Sequence, residues 1–422
     1  MSKKKDLKKQ YKALWETEVS KCSKCGKCRS FCPVFMQTRD EKLGTRGRIS
    51  LAGALISNQI DLSPEVLKSM STCMRCLRCS SECPSKVDFD KLIRGVRGML
   101  GKEVPCYKVK KHTIGFVLKN RWVLDLMMRI GYFLQKARPN ASIQWIKKIP
   151  FFYRGLATSP VISKRSALQL YAGKHTVKNP RYRVMLFVGC VVNYLYPEVI
   201  RATIDVLNHY GVDVLISKNE LCCGIPAISD GDEETATYLA KNNISAIKDD
   251  TVDYIVSTCG TCTGTFVRDY EELAGDNAKE YARRCVDITY FLSDILHVEV
   301  PKINLKTTYH DPCHLKYGLN ISSQPRDLLK MSSEYCEMEN ADKCCGMAGT
   351  FGIMNAAVSK DIFKEKADAV QKSKAEVVVT ACPSCVMQLK GQLADYGINC
   401  EVIHIIQLLQ RSIEQDGNKS NS

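Results

Sequence analysis

Cys22-Ser23-Lys24-Cys25-Gly26-Lys27-Cys28-Arg29-Ser30-Phe31-Cys32-Pro33 returns later in the chain as Cys73-Met74-Arg75-Cys76-Leu77-Arg78-Cys79-Ser80-Ser81-Glu82-Cys83-Pro84. Each run is C-x2-C-x2-C-x3-C-P, the spacing that holds paired [4Fe–4S] cubanes. Three thiolates set two residues apart wrap one cluster. The fourth lies too far along to close the same cluster and crosses to its neighbour, and the proline then turns the chain away and removes a backbone donor. The expected ligand sets are therefore Cys22, Cys25, Cys28 and Cys83 for one cluster, and Cys73, Cys76, Cys79 and Cys32 for the other. Structural zinc also uses C-x2-C pairs, but it has no use for a third cysteine at that spacing plus Cys-Pro, twice. Two adjacent clusters pass single electrons.

Beyond residue 180 the cysteines repeat. Cys190, Cys222, Cys223, Cys259 and Cys262 are matched, 122 or 123 residues later, by Cys313, Cys344, Cys345, Cys382 and Cys385. Five matched positions identify a duplicated unit. Each unit alternates β-branched runs with amphipathic stretches. Arg183–Val188, Asp213–Ser217 and Tyr254–Thr258 read as strands in the first unit, with helices over Glu198–His209 and Glu233–Lys248. Lys306–His310, Val377–Thr380 and Val402–Ile405 read as strands in the second, with helices over Asn355–Gln371 and Ser384–Asp395. Such alternation predicts a parallel sheet in each unit, with the first cysteine and the C-x2-C just after a strand, where open α/β sheets place ligands.

Within each unit an adjacent cysteine pair precedes a glycine, Gly224 or Gly346, which gives the backbone freedom for both thiols to face one site. Five thiolates exceed what a cubane or zinc needs. A second pair of metal clusters is the expectation, with a thioredoxin-like redox pair at C-x2-C as the alternative. His310 and His314 flank Cys313 and have no counterpart in the first unit; ligation, tuning of a cluster by hydrogen bonds and plain packing are all open to them. Cys106, Cys285, Cys336 and Cys400 stay outside every motif and read as small buried side chains.

Twenty-two cysteines in 422 residues do not suit a disulfide scaffold, which is short. The basic start, Met1 to Gln10, leads into no apolar stretch and reads as no signal peptide. Reduced cytoplasmic thiols used for metal are the expectation. Trp122–Leu134 comes nearest to a membrane span but carries Asp125 and Arg129. The net charge of +16 is concentrated: between Gly101 and Val184, eighteen lysines and arginines face only Glu103 and Asp125. A solvated surface, compensation of negatively charged clusters, and docking to an acidic partner or anionic membrane all fit. Nucleic acid is not expected, since no binding motif accompanies the charge. Gly95, Gly98 and Gly101 follow no strand, and no G-x-G-x-x-G or P-loop occurs. No flavin or nicotinamide site is expected here, so hydride chemistry is assigned to another polypeptide.

Two such N-terminal runs followed by two Cys-Cys-Gly (CCG) units resemble the iron–sulfur subunit of glycolate oxidase. They equally resemble the related subunits of lactate and anaerobic glycerol-3-phosphate dehydrogenases and the fused catalytic subunit of heterodisulfide reductase, over residues 15–411. Thr45-Arg46-Gly47-Arg48-Ile49 is similar to the Pro-Arg-Gly-Arg-Ile segment of glycolate oxidase subunits, with threonine for proline. The full five-cysteine sets resemble heterodisulfide reductases, which implies a noncubane [4Fe–4S] cluster on each set. The resemblance further implies an FAD-containing dehydrogenase partner, and an electron-transferring flavoprotein, quinone or membrane cytochrome as further carrier. The expected location is the cytoplasm, with a peripheral place on the inner face of the membrane as the alternative that the basic, apolar segment around Trp122–Leu134 leaves open.

The expected fold is α+β overall. A mainly α, ferredoxin-like domain covers 1–100, a basic helical connecting segment 101–180, the α/β CCG domains 181–300 and 301–411, and a disordered tail 412–422.

Overall fold

The computed structural model describes residues 15–137, 160–249 and 251–420. The first hundred residues are helical, with Pro33–Thr38, Thr45–Ile56, Pro64–Ser71 and Phe89–Glu103 around the cysteine loops. Trp15, Ala52, Met70, Leu92, Ile93 and Val96 form their core. Ser63 caps one helix through Val66 N and Asp88 caps another through Lys91 N, so polar residues set where these short helices begin.

Two sheets follow. The first contains β1 (Gly173–His175), β2 (Tyr182–Phe187), β3 (Val212–Ile216), β4 (Tyr254–Ser257) and β5 (Cys285–Asp287), in the order β1-β3-β2-β4-β5. The second contains β6 (Lys306–Tyr309), β7 (Glu334–Tyr335), β8 (Val377–Thr380) and β9 (Glu401–His404), in the order β7-β6-β8-β9. The predicted strands and helices are all present. The second sheet is parallel, as is the first apart from its edge, where β1 runs antiparallel to β3. β1, β5 and β7 are two or three residues long, too short to carry a legible alternation. β1 also brings residues before 181 into the first sheet.

The connecting segment contributes helices Pro105–Lys119 and Arg121–Ala137. The second does not pack on all sides: Trp122, Leu126, Ile130, Phe133 and Leu134 are at least half exposed. The expectation of a tail from 412 is corrected, because the helix Ile405–Ser420 runs through it. Its patterning continues past 411, with Ser412 buried and Ile413 packed on the core.

The N-terminal domain is riveted to the first α/β unit by buried charge. Asp90 takes two hydrogen bonds from Arg75, both 2.8 Å. Arg268, from helix Gly260–Ala274, adds a third at 3.1 Å, and Arg94 spans Asp90 and Asp269. Burial alone would raise the Asp90 carboxyl, but the Arg75 charge and hydrogen bonds hold it well below the usual carboxylate range. With a depressed folded pKa, the stabilisation is present above about pH 4 and fades only as acid overtakes the folded value. Asp90→Ala leaves Arg75 buried without its partner and is expected to cost about 3–5 kcal/mol. A lower urea midpoint at pH 7 with unchanged slope checks this; an unshifted midpoint would refute it.

Candidate metal centres

Motif cysteines line four clefts. Cys22, Cys25, Cys28 and Cys83 line one, together with Arg46. Cys32, Cys73, Cys76 and Cys79 line the next, together with Arg48. Thr45 and Cys79 form part of both walls. Each cleft thus gathers three cysteines of one run and the fourth of the other. The helix that begins Thr45-Arg46-Gly47-Arg48 lies between them with one arginine at each. Arg48 is buried and anchored to Ser69 O at 2.8 Å, while Arg46 pairs with Glu41 at 2.7 Å.

The loops are shaped for an anion. Lys24 and Gly26 in the first run, and Arg75 and Leu77 in the second, all have left-handed φ, from 52° to 81°. Left-handed residues alternating along a loop turn its N–H groups inward into a concavity that favours negative charge. Arg75 N donates to Cys73 Sγ at 3.4 Å. Leu77 is not glycine, and holding it there costs about 1–3 kcal/mol. Burial pushes the Cys76 and Cys79 thiols well up, Cys76 with help from Cys344 and Cys313. Buried thiols of this kind ionise only opposite a cation, so thiols, inward N–H groups and arginines together fit an iron–sulfur cluster in each cleft.

The ten cysteines of the repeated units form one string of neighbouring thiols. In the first unit Cys190 meets Cys222 at 3.8 Å, Cys222 meets Cys223, Cys223 meets Cys262, and Cys262 meets Cys259. Cys259 then meets Cys382 across the interface between the units. The string continues through Cys385, Cys345 (3.6 Å from Cys385), Cys344 and Cys313. The order in the second unit mirrors that in the first. Gly224 and Gly346, at φ 97° and 87°, make the turns after the paired cysteines, and a Cβ at Gly346 would meet Ser359 O at 2.7 Å. The neighbouring Cys344 and Cys385 thiols lower the Cys345 thiol.

The far ends of the string differ. Cys190 and Cys222 lie against Leu118, Arg121 and Leu124 of the connecting helices. Cys313 and Cys344 open on a cavity of about 270 Å³ shared with Cys76, Arg78, Tyr317, Asp342 and Lys343. The apolar contact beside it packs Cys32, Phe35 and Met74 against Cys344, Phe351 and Ile362. The second N-terminal cleft therefore abuts the second repeated unit.

The two flanking histidines part company. His314 is a tie: its Nε2 contacts Arg75 O at 2.9 Å and its Nδ1 contacts Thr261 Oγ1 at 3.1 Å, joining all three domains. His310 is buried beside Cys345 and Cys385, and among the described residues neither ring nitrogen makes a hydrogen bond of good geometry. Sequence reasoning missed Glu220 and Lys366. Glu220 accepts N–H groups of Val188 and Gly189 at 3.1 Å each, and burial raises it to about 8. Lys366 donates to Asn340 O and Ala341 O, and burial lowers it to about 8. The repeat was the usable signal, since Lys366 stands 123 residues after Asn243, which braces Leu221 and Cys222 in the first unit. Of the cysteines outside the motifs, Cys285 is buried as expected. Cys336 and Cys400 are only partly covered, because each sits at a strand edge donating to carbonyls, Cys336 to Thr307 and Cys400 to Ala375. The Cys106 side chain lies outside the described residues.

Comparison with known proteins matches a 4Fe-4S dicluster domain to residues 18–87 and a cysteine-rich domain, CCG, to 184–267 and again to 307–390. The "Probable glycolate oxidase iron-sulfur subunit" of Bacillus subtilis (strain 168) is 29% identical, over 96% of each chain. The "Lactate utilization protein A" of an Exiguobacterium species is 34% identical over 55% of this chain and 98% of its own length. One polypeptide of the fumarate reductase (CoM/CoB) of Methanothermobacter marburgensis is 31% identical over 57% of this chain and 48% of its own length. A crystal structure of a hypothetical protein from Helicobacter pylori shares the fold, with TM-score 0.56 over 97% of this chain and 76% of that one, at 9% identity.

Proposed function

We propose a route for electrons from one premise: the chain belongs to the family of redox iron–sulfur subunits that join a 4Fe-4S dicluster domain to two CCG domains, and it is the iron–sulfur subunit of a hydroxyacid dehydrogenase. Clusters bound in its clefts supply one-electron carriers. The crossed sets Cys22, Cys25, Cys28, Cys83 and Cys73, Cys76, Cys79, Cys32 hold two cubanes, and the two five-cysteine sets hold one further cluster each, noncubane in form. Electrons enter at the N-terminal domain from an FAD-containing partner that oxidises lactate, glycolate or a similar acid. They leave from the CCG end to a quinone or another carrier.

One observation carries this reading. The cysteine string runs from Cys313 and Cys344, beside Cys76, through Cys259 and Cys382 to Cys190. Its order is N-terminal clefts, second unit, first unit. The chain's own residues space and insulate the carriers, while Arg46, Arg48 and Lys366 place positive charge beside them.

The decisive experiment adds the anoxically purified chain back to its flavoprotein partner. Transfer from a 2-hydroxyacid to an acceptor should be restored, and the chain alone, reduced artificially, should leave disulfides intact. The 270 Å³ cavity beside Cys313 and Cys344 favours one competing reading, disulfide reduction at the second unit. Cleavage of a disulfide by the chain without partner would decide for it.

Among the described residues no helix is long and apolar enough to cross a membrane. The exposed face of Arg121–Ala137 instead suits an anionic surface, with Trp122, Ile130 and Phe133 set among Arg129 and Lys136. Arg129→Glu with Lys136→Glu should weaken binding to anionic vesicles by about tenfold or more, at about 1 kcal/mol per cation, with iron content unchanged. Binding indifferent to both the reversal and added salt would sink this docking mode. Arg138, the next cation, lies outside the described residues.

A further inference from the structure

The two CCG units repeat their cysteines, but they do not repeat what stands at the strand end above them. In the first unit that position is Phe187, fully buried and edge-to-face with Phe266 at 4.9 Å. In the second, 123 residues on, it is His310, only 1% exposed. The His310 backbone is pinned on both sides: its N–H donates to Val379 O at 2.9 Å and its carbonyl accepts from Thr380 Oγ1 at 3.0 Å. Among the described residues neither Nδ1 nor Nε2 makes a hydrogen bond of good geometry, although the Ala341 backbone lies near enough to act on the ring.

A buried imidazole with both nitrogens unsatisfied is costly unless something absent from the polypeptide satisfies it. What it faces is sulfur. A ring nitrogen of His310, Cys345 Sγ and Cys385 Sγ all lie within 4.8 Å of one another, yet the nitrogen makes no hydrogen bond to either sulfur. Groups bound about 2.0–2.3 Å from a shared tetrahedral metal end up about 3.3–3.8 Å apart. The arrangement is that of donors around one metal atom rather than of a donor and an acceptor.

We propose that His310 is a nitrogen ligand to iron in the second CCG cluster, an inference that depends on the cluster reading above. The second site then offers six donors where the first offers five, and the pseudo-symmetric pair is chemically unequal.

The test uses the whole chain, purified anoxically, with His310→Phe as the variant because the first unit already accommodates phenylalanine there. Electron–nuclear spectroscopy on protein grown with nitrogen-15 histidine should detect a strongly coupled histidine nitrogen in the wild type. It should vanish in H310F while iron content stays at the wild-type level. His310→Gln, measured alongside, guards against a packing defect in H310F, and the wild-type spectrum is decisive without either variant. Absence of histidine coupling in the wild type overturns the proposal, as does coupling that survives in both variants. Stoichiometric zinc in place of iron at this site also overturns it. Iron short by one whole cluster in the wild type overturns the cluster reading itself, and the ligand with it.

Discussion

Cys32→Ser is expected to remove the cluster of the second N-terminal run and leave that of the first intact. The spacing predicts this crossing, although Cys32 stands at the end of the first run. The structure sets Cys32 in one cleft with Cys73, Cys76 and Cys79, while Cys83 stands with Cys22, Cys25 and Cys28. Under the crossed assignment, iron should fall from about 16 to about 12 per chain, with four irons to a cluster. EPR should show the first cluster's reduced signal at full strength and the second's missing. Cys83→Ser should give the mirror result. Selective loss of the first signal on changing Cys32 would mean that each run closes its own cluster.

Much of this was readable in advance because metal ligation constrains sequence more tightly than packing does. A C-x2-C-x2-C-x3-C-P run has few physical solutions, and a register of five cysteines at a constant offset identifies a duplication without any knowledge of the sheet. Val377–Thr380, four consecutive buried residues, was legible as a covered parallel strand for a similar reason. What escaped were features set by distant residues. β7 exists because Glu334 and Tyr335 lie beside Lys306 and Thr307, and two residues carry no pattern of their own. Asp90 looks like a first-turn helix acid; only the fold brings Arg268 to it from 178 positions away. The two histidines beside Cys313 are indistinguishable by composition, and they separate because Arg75 and Thr261 occupy both nitrogens of one, while the other makes no hydrogen bond of good geometry among the described residues.

Cys344→Ser should cut the route in the middle. On the proposed order the second CCG unit stands between the N-terminal clefts and the first CCG unit, since Cys313 and Cys344 neighbour Cys76 while Cys259 meets the second unit's string at Cys382. Loss of the second CCG cluster should therefore isolate the first one without emptying it. Given the hydroxyacid and the flavin partner, the N-terminal clusters should still be reduced. The first CCG cluster should stay oxidised on the timescale of turnover, although a small chemical reductant such as dithionite reduces it. Transfer to the terminal acceptor should drop to background, while the partner keeps oxidising its acid with an artificial dye. Cys190→Ser, at the far end of the string, should leave the second CCG cluster present and reducible, which separates loss of a station from general disruption. If the first CCG cluster were reduced at the wild-type rate in the Cys344 variant, electrons would bypass the second unit and the serial order would be wrong. If the partner failed with dye despite intact flavin, the division of labour would be misplaced, because part of the substrate chemistry would then depend on this chain.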